Sequence, residues 1–293
     1  MAKTLNIDRL IVASDFGPKF LNFWPIVAQT WFQVFGITPE LALVFTESER
    51  QRVDAMRPDL EEYGQVHYLV GAEGYPLGNQ AKLARYYLAG QQRELFAMVD
   101  DIDTVHVKAG YLVEKFANVS REKLIGLGRE VYVGTPHQRN FPAGNFSGPG
   151  ELFARLFNPE NLSFIDYIQS FNKPPIYSSR ENPVNTPGKF SDEYLISALL
   201  DKTGLRSELV LLDRDQDIKR EWLDRSWWAS KTDIEVNKEN FEVINFLRPL
   251  LENKNSIQEA LDILVPGVKI DIVMDERLKV GILRRLRSHW VAI

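Results

Sequence analysis

The chain has 293 residues, enough to bury a full α/β core as one large domain or as a domain with an appendage, and no apolar run approaches the roughly 20 residues needed to cross a bilayer. It has no cysteine, which excludes disulfides, thiolate zinc sites and cysteine nucleophiles, and with only four histidines the carboxylates must carry most metal or acid–base chemistry. A net charge of -5 argues against broad attraction to phosphate backbones, and the N-terminal Met-Ala-Lys-Thr-Leu-Asn lacks the basic start and apolar middle of a secretory signal, so a cytoplasmic protein is expected.

Ile7 to Ser14 (IDRLIVAS) reads as a first buried strand and Leu41 to Thr46 (LALVFT) as a second. Between them Phe20, Trp24, Val27, Trp31 and Phe35 recur at three- and four-residue steps, which predicts a helix with one apolar face on the sheet. An acidic, arginine-containing helix follows over 47–62, then a third strand at Val66 to Val70, the Gly/Pro punctuation of GAEGYPLGN, and a helix from Gln80 to Ala89. ELFAMVDDIDTVHV starts as a continuous apolar strand, is broken by three acids and resumes as a short β-like run; REVYVGTP, from Arg129, reads as a further strand. Alternation of this kind is what a mainly parallel sheet requires. From Asn158 to Gly188 the chain is rich in Pro, Asn and Ser and predicts an irregular crossing. SDEYLISALLDKTG, with Ser191 as N-cap, fits a helix ending at Gly204, and SELVLLD fits a late strand. Beyond about 231 the pattern mixes helical stretches (ENFEVINFLRPLLE, SIQEALDIL) with a strand-like VKIDIVMD and a basic end, LKVGILRRLRSHW. The expected organisation is a catalytic domain over 1–230 and a smaller helical or mixed subdomain over 231–293.

The acidic break is the most informative feature. In MVDDID two carboxylates at spacing two, Asp101 and Asp103, follow an apolar strand that delivers them to the carboxyl-end edge of the sheet, where open α/β sheets bind ligands. One or two hard oxygen ligands, with the other positions left to phosphate and water, suit Mg²⁺ or Mn²⁺ held as a nucleotide complex. Three neighbouring anions repel one another, and a cation relieves that strain. A polar turn after a strand is the plain alternative, since Asp is common in turns.

With its apolar strand ending in Asp-x-Asp, the chain resembles the GT-A glycosyltransferases, in particular small bacterial, phage and algal-virus members, over roughly residues 8 to 230. The resemblance implies a Rossmann-like, mainly parallel sheet flanked by helices. It also implies a metal-dependent transfer of a sugar from a nucleotide-sugar donor, UDP-sugar by family frequency, with Asp101 facing the donor and Asp103 the metal. Val12, Ala13 and Asp15 at the end of the first strand fall where the family receives base and ribose, although Asp15 also suits a helix cap. Gln80, Lys82 and Arg85 fall on the segment that meets the donor. Arg85 suits a donor phosphate, an acid of the metal loop, or an ordinary surface position, and Asp100 suits a ribose or supporting contact.

GTPHQRNFPAGNFSGPG resembles the family's acceptor and sugar pocket, with Asn145, the amides near Ser147 and His137 as candidate contacts. Asp192 and Glu193 match an acidic pair at a helix start that faces the transferred sugar. In an inverting enzyme one of them takes the acceptor proton; their plain alternative is capping a helix dipole. Arg225 is a candidate cation for the leaving diphosphate, with Trp227 and Trp228 as a sugar platform or core, and His289 is a candidate third metal ligand. The acceptor implied is a glycan or lipid-linked saccharide, or a hydroxymethylated DNA base for a phage source. Two other readings stay open: a sugar-phosphate nucleotidyltransferase, for which DFGPK makes a poor phosphate loop, and a non-catalytic carbohydrate-binding protein whose acids serve turns and caps.

Overall fold

A computed structural model describes residues 6–135, 138–171, 192–213 and 222–274. Strand β1 (Arg9–Asp15) is apolar without alternation because both of its faces are covered: Leu10 and Val12 point into one core, Ile11 into the other. It pairs in parallel with β2 (Glu40–Phe45), which pairs with β3 (Gln65–Val70), and on its other side with β4 (Phe96–Val99). Four further elements complete the register: β6 (Leu124–Leu127), β7 (Phe146–Pro149), β8 (Leu209–Leu212), and the β5 strand (Thr104–His106) of a second sheet. The main sheet has the order β3-β2-β1-β4-β7-β6-β8, with β7 alone antiparallel to its neighbours. This is the expected α/β fold, a mainly parallel sheet flanked by helices.

The helices in chain order are α1 (Pro18–Leu21), α2 (Trp24–Phe35), α3 (Arg50–Glu61), α4 (Leu77–Ala89), α5 (Ala109–Phe116), α6 (Gly150–Phe157), α7 (Phe164–Ser170), α8 (Asp192–Thr203), α9 (Lys231–Asn237) and α10 (Leu250–Leu264). Trp24, Trp31, Ile257 and Leu261 fill one core from α2 and α10, while Leu83, Tyr86, Phe153 and Ile196 fill the other from α4, α6 and α8. The described part of the stretch beyond 231, expected as a smaller extension, packs back on the chain's start as far as Met274. Gln29 and Gln33 of α2 donate to the carbonyls of Lys269 and Pro266, and Asn22 exchanges two hydrogen bonds with the Met274 backbone.

A second, three-stranded sheet has the order β5-β10-β9, with β9 (Trp222–Asp224) and β10 (Val243–Asn245) parallel and β5 antiparallel to β10. ENFEVINF is therefore a turn and a strand, not the start of a helix: the adjacent β-branched pair Val243-Ile244 is fully buried between two partner strands. Four other readings change. The described start of the stretch expected as an irregular crossing holds helix α7, capped by Ser163 with Phe164, Tyr167 and Ile168 buried. REVYVGTP is a 3₁₀ turn (Arg129–Tyr132), because Gly128 at φ 100 ends the strand one residue earlier and leaves Val131 and Val133 exposed; the strand is LIGL upstream. The expected Gly-rich loop at NFSGPG is strand β7. Its Gly148 is demanded by packing, since a Cβ there would sit 2.7 Å from Leu124 Cδ2. VKIDIVMD makes no strand over its described residues 268–274. Among the described residues no helix is long and apolar enough to cross a membrane.

Candidate active site

From β1 the sheet extends to β2 and β3 on one side and to β4 on the other, so β1 and β4 flank the point where strand order reverses. Chain segments leaving the carboxyl ends of two such strands diverge, and the crevice between them is where open α/β sheets take ligands. Here a cleft of about 880 Å³ opens at that point, between Ala13, Ser14 and Asp15 at the carboxyl end of β1 and Asp100 to Thr104 after β4. Lys82 and Arg85 of α4, Glu193 of α8, the 142–145 loop and the carboxyl ends of β9 and β10 close it. Its size is that of a small-molecule site.

Arg85, only 3% exposed, is the hub of one wall. It donates to Asp100 O at 2.8 Å, Asp101 Oδ1 at 2.6 Å, Asp192 Oδ2 at 2.5 Å and Tyr86 Oη at 3.1 Å. Asp192 also accepts from Tyr86 Oη at 3.1 Å and lies 3.7 Å from Lys82 Nζ. Burial alone would disfavour the guanidinium, but the surrounding Tyr86, Asp101 and Asp192 keep it firmly charged. Partial loss of water pushes Asp101 up, and Arg85, aided by Lys82 and Arg225, more than reverses this and holds it below the ordinary aspartate value. The Asp101 side chain is half exposed and faces the cleft.

Asp103 is built into the opposite wall. Phe246 N–H donates to its carbonyl at 2.8 Å and continues the β5–β10 pairing. Its Oδ2 accepts from Arg225 Nη1 at 2.7 Å and lies 2.9 Å from Arg248 Nε. Burial, then repulsion from Asp101, raise its pKa to about 6 against the pull of Arg225. Asp100 is pushed up to about 8 by the same two causes; its Oδ2 is buried without a hydrogen-bond partner, 3.7 Å from His106 Nε2. His106, fully buried against Trp31, Phe35 and Tyr111, donates through Nε2 to Asn145 Oδ1 at 2.6 Å. Asn145 takes the left-handed φ of 58 that Asn tolerates, and its backbone N–H meets the Asp100 carboxyl. Gly144 is needed beside it, as a Cβ would lie 3.2 Å from Asp100 Oδ1 and 3.4 Å from Asp101 Oδ2.

The structure thus brings together Ala13, Asp15, Lys82, Arg85, Asp101, Asp103, Asn145, Asp192, Glu193 and Arg225 around one cleft. Burial raises the Asp15 carboxyl above its ordinary value. Two candidates are placed elsewhere. Val12 is fully buried in the core on the α2 face, because strand alternation turns it away from the ligand edge. Gln80, also fully buried, spends its amide on Ala72 N, Ala72 O and Tyr75 O, clipping the 71–75 loop to α4. His137 and His289 lie outside the described residues, as does Ser191, and nothing is described of the Trp227 side chain. Ser147 is buried within β7. Reading from sequence missed Arg248, His106, Asp224, Asn245 and Trp222. Arg248-Pro249 was the available signal, since the residue before a proline is biased away from helix.

Among the described residues no three His, Asp or Glu side chains converge as a complete metal cage. The donor set nonetheless fits a cation brought with a nucleotide. Two hard carboxylates, Asp101 and Asp103, face one cleft, and Mg²⁺ or Mn²⁺ typically takes only one or two carboxylates alongside substrate phosphates.

No family model and no curated protein matches the chain. Among solved structures it is similar to the glycosyltransferase GlyE of Streptococcus pneumoniae TIGR4, at 13% identity over 96% of this chain and 64% of that one, with a TM-score of 0.47. The galactosyltransferase LgtC, solved with donor and acceptor sugar analogs, is similar at 10% identity over 93% and 99% of the two chains, with a TM-score of 0.45. The 4-diphosphocytidyl-2C-methyl-D-erythritol synthase of Anaerococcus prevotii DSM 20548 gives 13% identity over 71% and 87%, with a TM-score of 0.41. The chain spans less than two thirds of GlyE's length. At such identities the likeness is one of chain path, and what the cleft does rests on its own side chains.

Proposed function

We propose that the protein is a metal-dependent glycosyltransferase that moves a sugar from a nucleotide-sugar, UDP-sugar first among the candidates, to a saccharide hydroxyl. The observation that carries this reading is the convergence of Asp101 and Asp103 with Arg85, Arg225 and Arg248 at the sheet's switch point, a balance of hard anions and forked cations suited to a cation–diphosphate pair. In it Ala13 and Asp15 meet base and ribose, while Asp101 and Asp103 hold the Mn²⁺ or Mg²⁺. When bound, that ion supplies a Lewis acid against the charge that grows on the departing diphosphate.

The acceptor oxygen forms its bond to the anomeric carbon as the bond from that carbon to the diphosphate oxygen breaks. Arg225 and Arg248 stabilise the negative charge left on the diphosphate. Asp192 is built into the wall through Arg85 and Tyr86; Glu193, half-buried, lines the cleft, and we assign it to the acceptor hydroxyl, whose proton it accepts in an inverting reaction. Asn145 and the Gly144 backbone line the side where sugar hydroxyls are held. The test is release of free sugar from a panel of UDP- and GDP-sugars with Mn²⁺, Mg²⁺ or EDTA. At least one donor should turn over with metal and not with EDTA; turnover of none, by folded protein that also fails to bind UDP, contradicts the proposal.

A further inference from the structure

The arginines that meet the two aspartates do so on different terms. Arg85 is buried and its terminal nitrogens are committed to four acceptors on three residues and a tyrosine, so moving it would strand Asp192. Arg225 and Arg248 converge on one atom, Asp103 Oδ2, and their side chains are 30% and 31% exposed. Two guanidinium charges therefore stand on one carboxylate, one more than it neutralises. Arg248 also has somewhere to go. It lines both the main cleft and an adjoining groove of about 720 Å³ beside Pro18, Lys19 and the first turn of α10, with its Cζ 5.3 Å from the Phe20 ring centre.

We propose that Arg225 and Arg248 are placeholders at Asp103: they release its carboxylate to the incoming cation and turn their forks to the donor's diphosphate, so that cation and diphosphate bind as a pair. This rests on the cation–nucleotide reading of the cleft and adds which bonds are exchanged. While both guanidiniums occupy Oδ2, a divalent cation at Asp103 meets two like charges and an oxygen already filled. A diphosphate alone meets the anions of Asp101 and Asp103 with their arginines turned away from it. Each ligand removes the other's obstacle, because phosphate oxygens match the freed guanidinium forks and Asp103 is then open to the cation. By linkage the help is mutual and equal.

The test measures Mn²⁺ binding from the EPR signal of free Mn²⁺, with and without UDP, and UDP binding by calorimetry, with and without Mn²⁺. The proteins are wild type, Arg248→Lys, Arg248→Gln and the Arg225→Gln/Arg248→Gln pair, each checked for folding by thermal melting. In wild type each ligand should tighten the other by on the order of 10- to 100-fold. In the double variant Mn²⁺ alone should bind on the order of tenfold tighter than in wild type, UDP alone should bind more weakly, and the mutual effect should shrink to about threefold or less. Arg248→Gln should fall between, and Arg248→Lys, which keeps the charge without the fork, should hold Mn²⁺ alone near its wild-type affinity while UDP binds more weakly. A purely structural role would weaken both ligands together. If wild type forms the ternary complex but the glutamine variants bind Mn²⁺ alone no better, the exchange is wrong and the cation–nucleotide reading stands; if wild type binds neither ligand, both are wrong.

Discussion

The two ends of the central strands carry buried charge in opposite ways. At the amino ends, Arg9 of β1 forks onto Glu40 of β2 at 2.7 and 2.6 Å, donates to Leu88 O at 2.9 Å, and His67 of β3 meets the same carboxylate at 2.6 Å. Burial would raise Glu40, yet the bonds from Arg9 and His67 together outweigh it and hold the carboxyl down at about 2. At the carboxyl ends, Asp100 and Asp103 are pushed up to about 8 and about 6, and arginines crowd one oxygen while another has no hydrogen-bond partner. One cluster is complete without a ligand and the other is not. Acids left without settled partners in a cleft, when the buried set at the other end of the same strands is closed, point to an incoming ligand of matching charge.

The contrast is broken most severely at Arg85, the one residue of the cleft wall that behaves like the closed cluster. Arg85→Ala leaves Asp192 buried without its main partner and should cost about 3–5 kcal/mol of stability, read by urea unfolding. Asp103→Asn should do the reverse. Its arginines are partly exposed and can rehydrate, so unfolding should shift by about 1 kcal/mol or less, while sugar transfer falls by roughly 10²–10³-fold. Asp101→Asn should match that loss in transfer.

At the closed end the expected effect is on stability against pH alone. Glu40 lies near 2 in the folded chain against an ordinary 4.5, so the unfolded chain binds the extra proton between those values. Its contribution, about 3 kcal/mol, is therefore present above pH 4.5 and is lost as pH falls toward 2. Glu40→Gln should flatten that acid slope in urea titrations between pH 6 and pH 3 without altering transfer at neutral pH. The smallest change is Gly144→Ala. Its methyl would stand 3.2 Å from Asp100 Oδ1, which should cost about 1 kcal/mol of stability and a few-fold in donor affinity.

Much of the sheet was legible because burial on both faces leaves an unmistakable mark: RLIVASD and ELALVF have no polar alternation to confuse with a helix. The acids of MVDDID were legible for a related reason, since they interrupt such a run where a parallel strand must end. Most of the third wall was not. The short β-like run after the acids is β5, but β9 and β10 are three residues each, too short for a period of two to show, and β5 meets β10 across more than 100 residues of sequence. Arg248 and His106 take their roles from that long-range pairing, which no local pattern records. Gln80 and Val12 erred in the other direction. Each sits one turn or one residue from the ligand edge, and only packing tells that the Gln80 amide is consumed by the 71–75 loop and that Val12 faces α2.

The most direct measurement is the EPR signal of free Mn²⁺ titrated into protein with UDP present, for wild type, Asp101→Asn and Asp103→Asn side by side. Wild type should remove Mn²⁺ from solution in a one-to-one ratio with UDP, and each asparagine variant should bind it at least about tenfold more weakly while keeping its fold. Equal uptake by all three proteins would contradict a cation held between these aspartates.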